Sequence, residues 1–273
     1  MLWARRLERA GVHVAYGMVG LKTHSKVVLV VRDDGERLRR YCHIGTGNYN
    51  SRTARAYEDI GYITSDDAIG DDVVQLFNHF TGFSRNNDYR ALLVAPEGLR
   101  PQLIDLIERE MEYGPEGSIS MKCNALADPV LIDALYRASD AGVPVQLLVR
   151  GISCIRPGVP GLSENISVRS ILGRYLEHSR IYRFEHGGDD GGPLYLIGSP
   201  DLMPRNLERR VEVLVPIQHP KHREWLDQVF AFDLSDEVVH WRQGSDGSWT
   251  RAGGTGDAQH DLYRWAADRQ RPR

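Results

Sequence analysis

Two histidine-x-cation triplets stand out in this chain, His24-Ser25-Lys26 and His178-Ser179-Arg180. A neutral imidazole is a competent nucleophile toward phosphorus, and its ordinary pKa of about 6.5 leaves much of it neutral at pH 7. The cations nearby in sequence, Lys22, Lys26 and Arg180, can hold an incoming phosphoryl group. With two such histidines, one can attack while the other handles the proton or the leaving group.

The triplets belong to a repeat. Each leads into an apolar run and a return strand ending at a glycine, 21 residues on in the first copy (24 to 45) and 20 in the second (178 to 198). An arginine follows seven residues after that glycine in both copies, Arg52 (45 to 52) and Arg205 (198 to 205). Two like units with one histidine each imply a pseudo-twofold cleft in which the imidazoles face each other. The turn Gly45-Thr46-Gly47-Asn48 offers backbone N–H groups and a hydroxyl to phosphate oxygens. Arg52, Arg55, Arg205 and Arg209 are candidate phosphate clamps, because the planar guanidinium matches phosphate geometry. Arg150 ends the run VQLLVR, beyond the carboxyl end of a strand, where ligands approach open α/β sheets. His219 and His222 open an amphipathic helix with no third ligand in view, so a metal role is not assigned to them.

The chain has 273 residues, 41% apolar and 26% charged, with a net charge of -3. That balance excludes a generally cationic protein, so any anion binding must come from local clusters. Cys42, Cys123 and Cys154 lack disulfide or metal spacing, which fits a reducing cytosol. The longest purely apolar run, Val27 to Val31, is far too short to span a bilayer. The opening, MLWARRLERAG, reads as the end of an amphipathic helix, so the chain has the look of part of something longer.

Periodicity predicts a helix over 2–10, a strand at VHVAYGMV, and a hairpin of VVLVV and LRRYCHIG. A short helix over SRTARAYEDIG and a longer one from Asp66 or Asp67 follow. The polar, irregular stretch 81–90 marks a boundary. Beyond it a βαβαβ run, further strands at about 166–172, 180–185, 193–199 and 211–217, a helix to about Asp233 and a closing hairpin predict an α/β (α+β) unit. Domains are therefore expected at 1–85 and 86–243, with 244–273 a mobile tail carrying a short surface helix.

The motifs GLKTHSK, RYCHIGTGNYNSRTARAYEDIG, LLVRGISCIRPGVPGLSENI, RYLEHSRIYRF and MPRNLERRVEVL resemble the C-terminal half of the long, multi-domain polyphosphate kinases, across nearly all of residues 1–240. The resemblance implies two phospholipase D-like units, the first lacking its N-terminal strands, which would leave apolar sheet edges open. It implies reversible transfer of the ATP γ-phosphoryl group to His24 and on to polyphosphate, with His178 as the partner histidine contacting the nucleotide. Tyr57 and Arg150 match the family's ATP-contacting positions. Mg2+ is the implied cofactor, its protein contacts lying outside this chain, and no metal site is expected within it. ATP/ADP and polyphosphate are the implied partners rather than nucleic acid, in a cytoplasmic homo-oligomer, with peripheral membrane association left open. Phospholipase D enzymes follow His-x-Lys after four residues with Asp. Here those positions hold Val31 and Glu185, so the first unit is read as having lost its acid. A phospholipase D-like phosphodiesterase or nuclease, or an inactive polyanion-binding module, are the alternative readings.

Overall fold

The computed structural model describes residues 2–18, 20–82, 88–189 and 191–269. The first unit opens with α1 (Leu2–Arg9) and a two-residue strand β1 (Lys22–Thr23) directly before His24. β2 (Lys26–Asp33) and β3 (Leu38–Gly45) form the predicted hairpin, with Gly35 at φ 88° in its turn. After a 3-10 turn come β4 (Tyr57–Glu58), β5 (Gly61–Thr64) and α2 (Asp67–Phe80), the last capped by the Asp66 carboxylate on the Ile69 N–H. The expected boundary at 85 falls within 83–87, outside the described residues. On its far side the Asp72 carboxylate of α2 accepts from the backbone N–H groups of Arg90, Ala91 and Leu92, anchoring the second unit's entry.

The second unit runs β6 (Leu93–Ala95), α3 (Leu99–Tyr113), β7 (Ile119–Cys123), α4 (Pro129–Asp140), β8 (Val145–Val149) and β9 (Ile166–Ile171). It continues through β10 (Leu176–Glu177), β11 (Ile181–Phe184), β12 (Leu194–Gly198), α5 (Pro204–Arg209) and β13 (Arg210–Pro216). α6 (Pro220–Asp233), the hairpin β14 (His240–Gln243) and β15 (Trp249–Ala252), and α7 (Ala258–Arg269) close the chain. The main sheet has the order β1-β13-β12-β11-β7-β8-β9-β14-β15, with β6 also on β13; β7, β8 and β9 are parallel. β2, β3 and β5 make a separate antiparallel sheet. This is the expected α/β architecture.

One core packs α3 and α4 on one face of the large sheet. On the other face Cys42, Ile44, Ile69, Val73 and Leu76 of the first unit pack with Ile197, Val213, Val215 and Phe230 of the second. At roughly 2 kcal/mol per fully buried aliphatic side chain, this shared core dominates the attachment of the two units. Among the described residues no helix is long and apolar enough to cross a membrane.

Three local expectations fail for tertiary reasons. VHVAYGMV is not a strand: residues 12–18 are irregular, and no described strand lies beside them to complete a ladder. SRTARAYEDIG is not a helix, because Tyr57 and Glu58 pair with Leu176 and Glu177 of the other unit after a 3-10 turn over Thr53–Arg55. The boundary at 243 cuts the β14–β15 hairpin, and the tail's expected surface helix is present as α7 but anchored, since Gln259 exchanges hydrogen bonds with the Tyr175 backbone in both directions.

The repeat also shows where the first unit is open. Tyr182 and Phe184 on β11 are 0% exposed beneath α3 and α4, whereas their counterparts Val28 and Val30 on β2 are 43% and 53% exposed. β11 lies between β12 and β7, but among the described strands β2 pairs on one side only, with β3. The expected open apolar edge is present.

Candidate active site

The pseudo-twofold is visible in the strand register. His24 and His178 differ by 154 positions (178 − 24), and Gly45 and Gly198 by 153 (198 − 45), because the second copy is one residue shorter. Under that shift the parallel pairs Lys22↔Arg210 and Thr23↔Val211 are the counterparts of Leu176↔Tyr57 and Glu177↔Glu58. Each histidine segment therefore pairs with the other unit, and neither unit builds its half of the site alone.

The same exchange supplies the acids. Glu212 Oε2 lies 2.8 Å from His24 Nδ1, and Asp59 Oδ1 lies 2.8 Å from His178 Nδ1. Glu212 and Asp59 are themselves counterparts (212 − 59 = 153). Their settings match too: Thr46 Oγ1 donates to Asp59, and Ser199 Oγ donates to Glu212. The backbone N–H groups of Ile60 and Val213 in turn donate to those hydroxyls. Position 31 holds valine, as read, and His24 draws its carboxylate instead from Glu212 of the second unit. Glu185 instead pairs with Arg183 at 2.6 Å. A signal for these acids exists in the sequence, since they follow their repeat's histidine by 35 (24 to 59) and 34 residues (178 to 212), the same one-residue difference as the glycines.

Glu212 is fully buried and also accepts from Asn206 Nδ2 at 2.8 Å. A carboxylate surrounded by donors can only accept, so His24 Nδ1 carries the hydrogen and Nε2 keeps its lone pair. Lys26 Nζ donates to the His24 carbonyl, and Arg180 Nη1 to the His178 carbonyl, one further matched pair. Burial pushes the Lys26 ammonium down to about 8, with Glu212 opposing and Arg180 adding to the fall. Lys26 also feels Asp59, so it lies within electrostatic reach of both histidine–acid pairs. Arg180 is buried, forks onto Asp201 through Nε and Nη2 at 3.2 Å each, and donates to the Thr46 carbonyl of the first unit.

Arg150 reaches this network through Asn124, with Nε 2.7 Å from Oδ1, while Asn124 donates to Asp201. The Tyr57 ring stands 4.9 Å from the His178 ring, centroid to centroid. Arg52, Arg55, Arg205 and Arg209 are exposed and bonded to neither histidine nor its acid. Arg210, half-buried and 3.8 Å from Glu212, lies closer to the chemistry than any of those four. The turn at Thr46 also departs from expectation. Its hydroxyl is taken by Asp59 and its N–H by Ile60, so neither is free for phosphate. The glycines there serve close approach: a Cβ on Gly47 would lie 1.9 Å from Asp59 Oδ2, and one on Gly198 would lie 1.9 Å from the Val213 carbonyl oxygen.

Among the described residues no group of three or more His, Cys, Asp or Glu is arranged to hold a metal ion. Glu212 and Asp59 are committed to the imidazoles, so the donor set here does not fit Mg2+. His219 caps α6 through Nδ1 on the Lys221 N–H.

Comparison with known proteins agrees with this geometry. The family model described as polyphosphate kinase C-terminal domain 1 matches residues 1–86, and that for C-terminal domain 2 matches 92–262. A polyphosphate kinase of Streptomyces coelicolor is 52% identical over 94% of this chain, and one of Mycobacterium avium 56% identical over 91%. The chain spans 34% of the length of each of these curated relatives. The crystal structure of polyphosphate kinase from Porphyromonas gingivalis superposes with a TM-score of 0.90 at 35% identity, covering 98% of this chain and 42% of that one. A doubled His-x-cation fold with crossed acids, matched by both C-terminal family models, means that this chain belongs to the polyphosphate kinase family.

Proposed function

We propose that this chain carries the phosphoryl-transfer centre of a polyphosphate kinase, with His24 as the covalent relay. The observation that carries this reading is the buried Glu212 on His24 Nδ1, which leaves the ring's lone pair on Nε2. In the forward half-reaction Nε2 attacks the γ-phosphorus of ATP, a P–N bond forms, and the bond to the bridging oxygen breaks with ADP as leaving group. The phosphorylated ring gains positive charge, which the Glu212 carboxylate offsets through the Nδ1 hydrogen. In the second half the terminal oxygen of polyphosphate attacks the same phosphorus, the P–N bond breaks, and His24 returns neutral. Both halves run in reverse.

Lys26, Arg180 and Arg210 supply fixed positive charge where the transferred oxygens collect negative charge. Tyr57 and Arg150 would face the nucleotide beside His178, and Arg52, Arg55, Arg205 and Arg209 would guide the polyanion from farther out. Mg2+ would arrive with the nucleotide, since it shields the phosphates. A cytoplasmic homo-oligomer remains part of this reading.

The direct test is incubation of the full-length kinase with γ-labelled ATP. Acid-labile, alkali-stable phosphate should appear on His24. Its absence from a folded protein, or cleavage of a phosphodiester without nucleotide, would overturn the reading. Lys26 adds a pH signature. It is cationic below about 8 and neutral above, so inorganic tripolyphosphate should bind more weakly by up to about tenfold per pH unit above that point. Lys26→Arg should flatten this fall; an unchanged slope removes Lys26 from the phosphate site.

A further inference from the structure

Behind His178, away from the imidazole, lies a buried cluster that the mechanism above does not use. Lys122 Nζ at the end of β7 sits 2.6 Å from Glu177 on β10, 2.7 Å from Asp233 on α6 and 3.6 Å from Glu58 on β4. Ser179 Oγ donates to Glu58 at 2.6 Å, and Gln259 of α7 donates through Nε2 to Glu177. Arg150, at the end of β8, borders the same narrow crevice as Lys122, Glu177 and Ser179. Three carboxylates thus surround one ammonium, an arrangement whose desolvation cost makes it a poor source of stability by itself.

Its position is telling. Glu58 and Glu177 are direct partners in the β4–β10 pairing, and the residues that follow them are Asp59 and His178. Side chains alternate along extended chain, so a clamp on Glu58 and Glu177 sets the register that brings Asp59 Oδ1 to His178 Nδ1. The counterpart joint, β1 with β13, makes the same backbone pairing with Thr23 and Val211 in place of the two glutamates. At the pair adjoining the histidine the scaffold therefore closes without charge on the His24 side, where the charged pair is one step back at Lys22 and Arg210, whereas on the His178 side the adjoining pair is two glutamates.

We propose that Lys122, Glu58, Glu177 and Asp233 form a proton-sensitive clamp that positions His178 against Asp59. Lys122 is the positioning residue, and Glu177 the group whose proton keeps the clamp shut. Burial, with Asp233 and Glu58 adding to it against Lys122, raises Glu177 to about 7. Burial also raises Asp233, whereas at Glu58 the opposing pull of Lys122 and Ser179 prevails and lowers the pKa. A raised carboxyl pKa means that the closed form binds more protons than the open one, so closure weakens as pH rises toward and through about 7. The proposal builds on the phosphohistidine reading, but its test does not require turnover.

Hydrogen exchange in the full-length kinase reads the joint directly, through the Leu176 N–H on the Ala56 carbonyl and the His178 N–H on the Glu58 carbonyl. After correction for intrinsic base catalysis, protection of these amides should fall about tenfold from pH 6 to pH 8. Glu177→Gln keeps the shape and the oxygen that accepts from Gln259, and should flatten that fall. Lys122→Met should lose the protection and the His178 Nδ1–H signal in the imidazole 15N spectrum, with Lys122→Arg restoring both. If Lys122→Met fails to fold, the Glu177→Gln comparison decides. A wild-type pH dependence in Glu177→Gln, or an intact His178 signal in folded Lys122→Met, overturns the clamp. Absent His24 labelling with the exchange behaviour as described would sink the kinase reading alone.

Discussion

His24→Ala is expected to take up no phosphate from ATP and to make no polyphosphate, a loss of at least ~10^4-fold in either direction, the scale on which removal of a covalent nucleophile acts. In the proposed relay His24 acts through one atom, Nε2, and the neighbouring groups are already engaged. Lys26 Nζ donates to the His24 carbonyl, and Ser199 Oγ is spent on Glu212. The substitution also removes one of the two donors on Glu212 Oε2. Ser199 and Asn206 still satisfy that carboxylate, so the stability cost should stay within about 1–3 kcal/mol. A thermal melt alongside the labelling assay separates the two effects. Residual synthesis near the wild-type rate in a folded His24→Ala protein would remove His24 from the relay.

His178→Ala should behave differently, and the contrast is the more informative result. His178 holds the matching place in the other half, but its neighbours are crowded: Arg180 Nη1 lies 3.2 and 3.3 Å from its two ring nitrogens, and Tyr57 packs against it. That setting suits a group that holds a proton or a leaving oxygen rather than one that forms a bond to phosphorus. Loss of such a group costs about 10^2–10^4-fold in turnover. Phosphate on His24 should therefore still form and then accumulate, because the nucleophile and Glu212 are untouched. Rapid-quench measurement of phosphorylated enzyme against product formation would show this. A folded His178→Ala protein that never labels would mean that the histidine acts in the first transfer as well.

The crossed acids explain why both effects should be local. Each histidine is oriented by a carboxylate from the opposite unit, and that carboxylate is held by its own hydroxyl partner, Thr46 or Ser199. Truncating one imidazole leaves the other pair bonded. The shared core beneath, with Ile44 and Ile69 packed among Ile197 and Val213, holds the two units in place whichever imidazole is removed.

Much of this is legible in the sequence. Local patterns carried the hairpin of β2 and β3, the βαβαβ run and α6, since apolar periodicity and turn residues act over a few positions. The duplicated triplets and their near-equal spacing located both histidines and both units, because a repeat is a property of the chain itself. Partnership between the two units was not legible. Tyr57 and Glu58 have the local pattern of a helix, and only the Leu176–Glu177 edge, more than a hundred residues away, makes them a strand. Glu212 and Asp59 obey the repeat, yet which histidine each serves depends on the exchange of strands between units. The Lys122 clamp has no repeat signature at all, since β4, β7, β10 and α6 meet there only after the chain has folded. The order of residues along the chain thus determined the two candidate histidines and their number, whereas long-range contacts alone decided their acids, because a carboxylate is assigned by distance in space and not by distance in sequence.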